Sequence, residues 1–575
     1  VPWPFDTVLK TDSMEQNRQP VTVFGAAMTN AELPAGYHVE NLTTLMQAVV
    51  TQYRDLLTEH EQGLWQRFQG LSAAGKSLYC RLLTRRGPLL RQDKLQYADI
   101  PDLNATLTEL ARCDMASINH PVDAELLLAL LTRQELVQRF KPTGHNKLNK
   151  PQLLALILEQ TDHTRILTTI QHAFPYVQAH YQDAFAMYQV CFFGNSHQNL
   201  AEFVIRDLGH VQYEQYPLCR DTRYFQTRQQ IEHQIVYSNA RQQLEDKTLL
   251  QDAEALITLA ESLPRPDHHP HLQRRYQKTL LTIARQLERL QRPTEALRYY
   301  RLCDRHPSRE RQVRILKQQG DLEAALHLCH AIESNGQHPE ELEFVQRVLP
   351  KLNKALGHTA AQQTKPPAHR KPPQREFELT FPQSELAVEI QAAVALSDEQ
   401  HSCHYVENTL FNGLFGLLFW DIMFATIPGA FVNAFQRGPL DLNSEDFYPR
   451  RREPIESRLQ TLRSASWREI VLQHYADKFG RANAFVYWEG LGQELLQLAL
   501  HRIPPQHLES LFRRMLRHPG LYRNGFPDLI RFSHHSYELI EVKAPGDKLQ
   551  ANQIRWFKHF QHTGIPASVC WVRWA

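Results

Sequence analysis

The sequence predicts a multidomain fold with mainly α-helical amino-terminal and middle regions, followed by an α/β domain at the carboxyl end. A chain of 575 residues is too long for one hydrophobic core, and roughly 100 to 200 residues per domain gives three to five units. Apolar residues recur at the 3.6-residue helical period over much of the stretch 41–352. A proline-rich segment then separates this helical part from a region of β-type runs around a helix.

The composition is typical of a folded protein and restricts how the chain can bind an acidic polymer. Hydrophobic residues make up 42% of the chain and charged residues 22%, which is ordinary for a globular protein. Because the formal net charge is only +2, a surface that binds an acidic polymer would have to come from local clusters of Lys and Arg. The eight cysteines form no Cys-x-x-Cys pair and no zinc-type Cys/His quartet, which indicates a reducing compartment and argues against a zinc finger.

The sequence has no pattern typical of secretion or of a membrane span. Its first residues lack the positive region and apolar core of a signal peptide. The most apolar stretch, residues 408–435, is interrupted by Asp421 and broken at Pro428-Gly429, so its pieces are shorter than the ~20 residues that a span needs. We expect a buried core helix there and no membrane association.

The first predicted region covers residues 1–120 and is helical in pattern from about Asn41 to Met115. The runs LTTLMQAVVTQYRDLL and LYCRLLTRRGPLLRQDKL both have the helical period. Basic residues cluster in the second run: Arg81, Arg85, Arg86, Arg91 and Lys94. Two interpretations remain open, a solvated helix face and a patch that contacts DNA phosphates.

The second region, residues 121–165, contains two short amphipathic helices in LTRQELVQRFKPTGHNKLNKPQLLALILEQ. Thr132 can cap the first helix, and Pro151 suits the first turn of the second. Basic residues occupy their connector: Lys141, His145, Lys147 and Lys150. The stretch resembles the SAP module, a helix-extended-helix unit that binds DNA in its families, and a structural helical hairpin is the alternative.

The third region, residues 166–357, continues with one helical pattern after another. PTEALRYYRLCDRHP and DLEAALHLCHAIESN align with Ala296-Leu297 over Ala325-Leu326, which predicts a tetratricopeptide-like solenoid, with a plain helical domain as the alternative. The loop segment DHHPH, residues 267–271, is expected to be a solvated turn rather than a metal site. Residues 358–376, rich in Pro, Gln, Lys and His, form a linker.

The last predicted domain, residues 377–575, contains a β-hairpin that brings two carboxylates together. The runs PDLIRF and YELIEVK flank the polar four-residue loop SHHS. A symmetric loop pairs Phe532 with Tyr537 and, four residues further along each strand, Asp528 with Glu541. Facing side chains in such a pair have Cβ atoms about 4.5 to 5.5 Å apart, and like charges there destabilise the sheet.

A divalent cation with oxygen ligands would relieve the repulsion between these carboxylates. It would also supply a Lewis acid for a phosphate group. Lys543 lies two residues after Glu541 and therefore projects from the same face of the strand, where it could stabilise a phosphate or orient water. Val542 points into the core, and its backbone carbonyl offers a further metal ligand.

A helix and a last strand complete an α/β nuclease core after Lys543. Asp547 and Gln550 suit the N-cap and N3 positions of a capping box, and Gly564 ends the helix. A final β-type run, ASVCWVRW, follows it. The apolar stripe of the helix comprises Leu549, Ile554, Phe557 and Phe560.

Several motifs resemble those of one nuclease family. GFPDLI followed by EVKAPGDKLQANQ resembles the virus-type replication-repair nuclease (VRR-NUC) branch of the PD-(D/E)xK superfamily. CFFGNSHQNLAEFVIRDLG and ENTLFNGLFGLLFWDIMF resemble segments of the Fanconi-associated nuclease family. That family's layout also matches, because a DNA-binding region, a SAP module and a tetratricopeptide-like domain precede its VRR-NUC domain. The ubiquitin-binding zinc finger of animal members is absent, so a bacterial-type member is expected.

The resemblance implies a metal-dependent DNA endonuclease and 5′–3′ exonuclease. Such an enzyme would cleave branched or flap DNA near 5′ flaps with one or two Mg²⁺ or Mn²⁺ ions, and would act in DNA repair, including repair of interstrand crosslinks. It would work as a monomer or a dimer, in the cytoplasm of a bacterium or the nucleus of a eukaryote. Two alternatives stay open: a catalytically silent DNA-structure scaffold, and a Holliday-junction or restriction-type nuclease.

The resemblance also assigns roles to single residues. Glu407 would join Asp528, Glu541 and the Val542 carbonyl as a metal ligand. Without the resemblance, Glu407 could also be a solvated residue at the start of a helix. Gln553 would contact water or phosphate beside Lys543 in the catalytic set. Arg523 and Lys548 would add to the basic residues that hold DNA.

The segment GLSAAGKS, residues 70–77, fits the P-loop formula GxxxxGK[ST] but has the wrong context. A P-loop follows a buried strand, whereas the polar, helical run EHEQGLWQRFQ precedes these glycines. We therefore expect no nucleotide cofactor and interpret Ser72 as a helix cap.

Overall fold

A computed structural model of the chain describes residues 36–85, 87–144, 148–195, 211–336, 338–358, 375–382 and 384–575. Up to residue 358 the described residues form mainly helices, together with a small three-stranded sheet. Residues 375–575 form a five-stranded sheet surrounded by helices. The predicted division into a mainly helical part and a carboxyl-terminal α/β part is confirmed.

The amino-terminal part packs helices against a small antiparallel sheet of order β1-β3-β2. The predicted helix through residues 78–95 is wrong in its second half, because α3 ends at Thr84 and Gly87 turns the chain with a φ of 94°. Residues 89–91 then join the sheet. The elements are α1 (Tyr37–Tyr53), α2 (Glu59–Gly70), α3 (Ala73–Thr84), β1 (Leu89–Arg91), α4 (Leu103–Arg112), β2 (Ala116–Ile118), β3 (Tyr176–Ala179) and α9 (Gln182–Phe193).

The P-loop formula, residues 70–77, spans the end of α2 and the first turns of α3. Helix α2 precedes Gly70, and the side chain of Ser72 accepts a hydrogen bond from the backbone N–H of Gly75. The predicted cap at Ser72 is therefore confirmed. A nucleotide loop would require a strand where α2 lies.

Four short helices lie between β2 and β3 in the chain and pack around a small core: α5 (Ala124–Ala129), α6 (Arg133–Phe140), α7 (Lys150–Gln160) and α8 (His163–Gln171). Thr132 caps α6 in a capping box with Glu135, whose carboxylate accepts from the Thr132 N–H at 2.7 Å. Pro151 lies in the first turn of α7. Both predicted helix starts are confirmed, while His145 and Lys147 lie outside the described residues.

The middle of the chain is a series of helices in which consecutive members pack on each other from α12 onward. Ala296 and Ala325, aligned in the sequence, are both fully buried, as equivalent positions of a repeat would be. The tetratricopeptide-like repeat itself stays a prediction. The helices are α10 (Arg228–Gln243), α11 (Ala253–Ser262), α12 (Pro270–Arg289), α13 (Pro293–Tyr300), α14 (Ser308–Gln318), α15 (Leu322–Asn335) and α16 (Pro339–Ala355).

The expected solvated turn at residues 267–271 is wrong for two of its histidines. His269 caps α12, and its Nε2 lies 2.8 Å from the Tyr224 carbonyl oxygen. His271 is buried, with its ring 5.3 Å from the ring of Tyr224. Burial lowers the pKa of both imidazoles.

The carboxyl-terminal sheet has the order β4-β8-β7-β6-β5. Strand β8 is parallel to β4 and to β7, whereas β6 is antiparallel to both of its neighbours. The sequence predicted β6, β7 and β8 but missed both edge strands. The five strands are β4 (Arg375–Phe381), β5 (Ser402–Tyr405), β6 (Leu529–Phe532), β7 (Tyr537–Lys543) and β8 (Ala567–Trp574).

Helices cover the sheet and build most of the second large core. The apolar stretch at 408–435 is buried as predicted, but it splits into α18 and α19. In the part of the chain that the structure describes, no helix is both long and apolar enough to cross a membrane. The helices are α17 (Val388–Ala395), α18 (Leu410–Leu418), α19 (Trp420–Met423), α20 (Arg452–Gln460), α21 (Ser466–Lys478), α22 (Gln493–Arg502), α23 (Pro505–Arg517), α24 (Pro519–Tyr522) and α25 (Ala551–Thr563).

Helix α25 starts later than predicted. Its capping box joins Gln550 to Gln553, so the predicted pair of Asp547 and Gln550 is wrong. The Asp547 carboxylate accepts from the Ala544 N–H at 3.1 Å and closes the preceding turn instead. Gly564 ends the helix with a φ of 73°, as predicted.

Candidate active site

The hairpin β6–β7 has the predicted register, with Phe532 opposite Tyr537 and Ile530 opposite Leu539. Asp528 directly precedes β6, and its Oδ2 accepts from the Val542 N–H at 2.8 Å. The Asp528 carboxylate therefore reaches the strand that carries Glu541. Val542 itself is buried in the core on one side of the sheet.

Asp528 also holds the segment that carries Glu407. Its backbone carbonyl accepts from the N–H groups of Val406 at 2.8 Å and of Glu407 at 3.2 Å. Asn408 adopts a φ of 50°, and its Oδ1 accepts from the Phe526 N–H at 3.2 Å. These bonds bring Glu407 next to the hairpin, although about 120 residues separate the two segments in the chain.

Glu541 is fully buried, and its two oxygens have different environments. Its Oε1 lies 2.6 Å from the Lys543 Nζ and accepts from the Gln553 Nε2 at 2.5 Å. Its Oε2 is buried without a hydrogen-bond partner. An ionised carboxylate oxygen buried in this way is costly, and coordination of a cation would satisfy it.

The electrostatics of the site point the same way. Burial, and then the charge of Glu541, raises the pKa of Asp528. Burial also raises the pKa of Glu541. The charge of Lys543 lowers this pKa in part, and the charge of Glu407 raises it further. Several acidic groups without enough positive charge between them are the donor set that a hard divalent cation prefers.

Glu407 is exposed and does not start a helix directly, since α18 begins at Leu410. The Tyr405 hydroxyl donates to its Oε2 at 2.6 Å, and the Asn408 amide donates to its Oε1 at 3.0 Å. Its charge contributes to raising the pKa values of Asp528 and Glu541, so its carboxylate lies near both.

The sequence reasoning missed Glu389, a further acidic residue near this cluster. Glu389 lies in the first turn of α17, and its charge contributes to raising the pKa values of Glu541 and Tyr405. A signal was present, since Glu389 is the only charged residue of that helix.

The comparisons with known proteins identify the family. The VRR-NUC domain model matches residues 462–574, the model of the FAN1 HTH domain matches residues 36–117, and the Fanconi anemia-associated nuclease SAP domain model matches residues 121–169. A Pseudomonas aeruginosa protein described as a Fanconi-associated nuclease 1 homolog is 33% identical over 94% of this chain and 96% of its own length. The chain belongs to the Fanconi-associated nuclease family.

Other family members agree with this assignment. Human Fanconi-associated nuclease 1 is 24% identical over 93% of this chain, which spans 62% of the human protein. A crystal structure of paFAN1 bound to DNA with a 2-nucleotide 5′ flap and a gap superposes with a TM-score of 0.81 at 32% identity, covering 95% of this chain and 99% of that one. This Fanconi-associated nuclease is therefore a structure-specific nuclease, and its VRR-NUC domain implies a dependence on divalent metal.

The predicted DNA-binding residues of this nuclease are spread over several surfaces. Arg523 donates to the Ala484 carbonyl at 2.5 Å, and its guanidinium lies 4.9 Å from the Phe485 ring centroid. Burial lowers the pKa of that guanidinium. Lys548 is exposed on the turn before α25. The roles of both residues stay predictions.

The basic residues of the amino-terminal regions are partly engaged within the fold. Arg81 pairs with Asp99, and Arg91 pairs with Asp93 and Glu135. The remaining candidates are placed as follows: Arg85 lies 5.5 Å from the Tyr97 ring, Lys141 is exposed at the end of α6, Lys150 donates to the Ala129 carbonyl, and Arg86 lies outside the described residues. Their contacts with DNA also stay predictions.

A second group of potential metal ligands lies outside the hairpin. His306, His338 and Glu340 each offer a ligand atom within 4.8 Å of the others. The two imidazole rings are stacked at 4.4 Å with an angle of 6° between their planes. A ring nitrogen binds a metal in the plane of its ring, so these parallel rings cannot share an ion in this arrangement. The carboxylates around Glu541 are therefore the better candidate for a metal site.

Proposed function

We propose that this nuclease hydrolyses phosphodiester bonds next to 5′ flaps in branched DNA, with Mg²⁺ or Mn²⁺ as its metal. The observation that carries the proposal is the meeting of Asp528, Glu541 and Lys543 on one hairpin, with an unpartnered oxygen of Glu541 among them. The complexes of paFAN1 with 5′-flap DNA support the choice of substrate.

Glu407, Asp528, Glu541 and the Val542 carbonyl would hold one or two ions. When bound, such an ion supplies Lewis acidity toward the phosphate. The protein's own contribution is preorganisation, because the Val542 N–H fixes Asp528 and because Lys543 and Gln553 both hold Oε1 of Glu541. Those two contacts leave Oε2 of Glu541 available to the metal.

Lys543 has a second role in the proposed reaction. Lys543 is 8% exposed, and its ammonium group lies beside the acidic cluster, where it offers positive charge to a phosphate as negative charge develops in the transition state. Gln553 can orient water or phosphate with the same amide that contacts Glu541. In the cell, such an activity belongs to DNA repair, including repair of interstrand crosslinks.

DNA would be held mainly by the amino-terminal and SAP-like regions through phosphate contacts. The proposed contacts come from basic residues there and near the hairpin: Arg81, Arg85, Arg86, Arg91, Lys141, Lys147, Lys150, Arg523 and Lys548. Binding through such contacts weakens steeply with salt.

The test uses labelled 5′-flap, nicked, intact and four-way-junction DNA with Mg²⁺ or Mn²⁺. We expect cleavage of the flap substrate near the junction and none with Asp528→Ala. Binding without cleavage by the wild-type protein would indicate a silent scaffold. Preference for the four-way junction would indicate a junction-resolving enzyme.

A further inference from the structure

Among the described residues, exposed aromatic side chains are rare and concentrate near the segment that carries Glu407. Among the Phe, Tyr and Trp residues that the structure describes, Tyr405, Phe479 and Tyr487 are the exposed ones, at 44%, 61% and 54%. The Tyr405 hydroxyl donates a hydrogen bond to Glu407. The Tyr487 hydroxyl instead donates to Glu489, so a hydrogen bond to Glu407, Asp528 or Glu541 does not explain why its ring is exposed.

Tyr487 lies close in space to the segment that carries Glu407. A Cβ atom placed on Gly490 would be 2.9 Å from the Cδ1 of Tyr487 and 3.2 Å from the Cγ2 of Thr409. The Tyr487 ring and the Thr409 side chain therefore meet across Gly490. Thr409 follows Glu407 by two residues, which span at most about 7 Å.

The backbone around Tyr487 is anchored, so its ring is presented from a fixed position. The indole N–H of the next residue, Trp488, donates to the Arg481 carbonyl at 2.7 Å, and its ring packs 5.2 Å from that of Phe479. The Tyr487 hydroxyl donates to Glu489 at 2.6 Å. Little conformational entropy remains to be lost when a flat ligand covers this ring.

We propose that Tyr487 is a stacking platform for an unpaired nucleobase of the substrate, beside the phosphate that is cleaved. Exposed aromatic rings bind unpaired bases regardless of sequence, because every base has a π face. A base within an intact duplex has no free face to offer. The platform would thus add a preference for DNA with an unpaired nucleotide at the junction, and this inference rests on the proposed function.

The test combines Tyr487→Ala with abasic substitutions in the flap. Each unpaired nucleotide next to the junction is replaced in turn by an abasic analogue. For the wild-type protein we expect one position at which loss of the base raises KM by roughly 5- to 150-fold. Tyr487→Ala should show the raised KM with normal flaps and no further effect of the abasic site, and kcat should change little.

Two control variants separate stacking from folding. Tyr487→Phe keeps the ring and should behave like the wild-type protein, whereas Leu302→Ala removes an exposed apolar side chain from the middle helical region and should change nothing. Equal sensitivity of the wild-type protein and Tyr487→Ala to the abasic scan would overturn the proposal.

A second measurement does not depend on cleavage. With Ca²⁺ present, 2-aminopurine is placed in turn at each unpaired flap position next to the junction. At one of these positions its fluorescence should be quenched on binding to the wild-type protein and to Tyr487→Phe, but not to Tyr487→Ala. Equal quenching by all three proteins would overturn the stacking platform. If the wild-type protein cleaves no flap at all, the proposed function fails, while this measurement still decides whether the base stacks.

Discussion

Gln553 donates to Glu541 across the gap between α25 and β7, with 2.5 Å between Nε2 and Oε1. Gln553 is also the N3 residue of the capping box that starts α25. The start of this helix therefore determines where the amide lies, and the amide helps to keep Oε1 of Glu541 away from the proposed metal. A helix cap and a proposed metal ligand are thus coupled through one side chain.

Gln553→Ala should lower cleavage by roughly 10- to 100-fold, as is usual for residues that orient a metal ligand. The loss should shrink as the concentration of Mn²⁺ is raised, because the remaining contact with Lys543 still orients Glu541. Cleavage rates over a metal titration check this. Gln561→Ala, at an exposed position of the same helix, is the matched control, and equal rates for the two variants would contradict the role of Gln553.

Glu541→Gln should abolish detectable flap cleavage while leaving DNA affinity within about twofold of wild type. The reason is that a neutral amide binds a divalent cation poorly, whereas most phosphate contacts are expected in the amino-terminal regions. Cleavage assays and fluorescence anisotropy check the two parts. Glu538→Gln removes a charge from the same strand, where Glu538 pairs with Arg531, and should retain cleavage. Parallel loss of binding in Glu541→Gln would refute this division of labour.

The hairpin could be predicted from the sequence because its contacts are local. A four-residue loop and the alternation of a strand determine which side chains face each other, and the observed pairs from Leu529 to Phe532 follow that register. Strand β4, in contrast, pairs with β8 about 190 residues further along the chain. Nothing in either segment encodes such a partner, so both edge strands were missed.

The same limit applies to the acidic cluster. Asp528 and Glu541 could be paired by counting residues, whereas Glu407 required the family resemblance and Glu389 was missed. Glu407 reaches the site through backbone bonds to Asp528, which depend on the position of β5 beside β6. The error at Asp547 has a different cause, because an aspartate before a helix can either cap it or close the preceding turn.

Arg555 should contribute to stability by joining the middle helices to the nuclease domain. It is 8% exposed and donates to Glu343 at 2.8 Å and to Glu340 at 3.0 Å, both on α16. We expect Arg555→Met to lower the free energy of unfolding by about 1 to 3 kcal/mol, since the two glutamates keep partial access to solvent. Urea unfolding measures this change.

Arg573 provides the comparison for Arg555. Its ion pair with Glu378 is formed by side chains that are 67% and 51% exposed, so Arg573→Met should cost no more than about 1 kcal/mol. Similar losses of unfolding free energy in the two variants would show that the contact between α16 and α25 stabilises the fold no more than an exposed ion pair does.

Asp55 should make stability depend on pH in the acidic range. The hydrogen bond from Arg223, which is 3% exposed, lowers the pKa of Asp55 from 3.8 to about 2. Because the folded protein holds this proton less tightly than the unfolded chain, the stabilisation is fully present above pH 4 and is lost as the pH falls toward 2. Discounted for the partial exposure of Asp55, the contribution is about 1 to 2 kcal/mol.

Asp55→Asn should therefore be less stable than wild type at pH 7, and the difference should narrow at pH 3. Urea unfolding at both values checks this, with Asp123→Asn, an exposed aspartate without a cap hydrogen bond, as the control. If the difference in unfolding free energy between Asp55→Asn and wild type is equally large at both pH values, Asp55 acts through packing, because a contribution from its charge must follow its protonation.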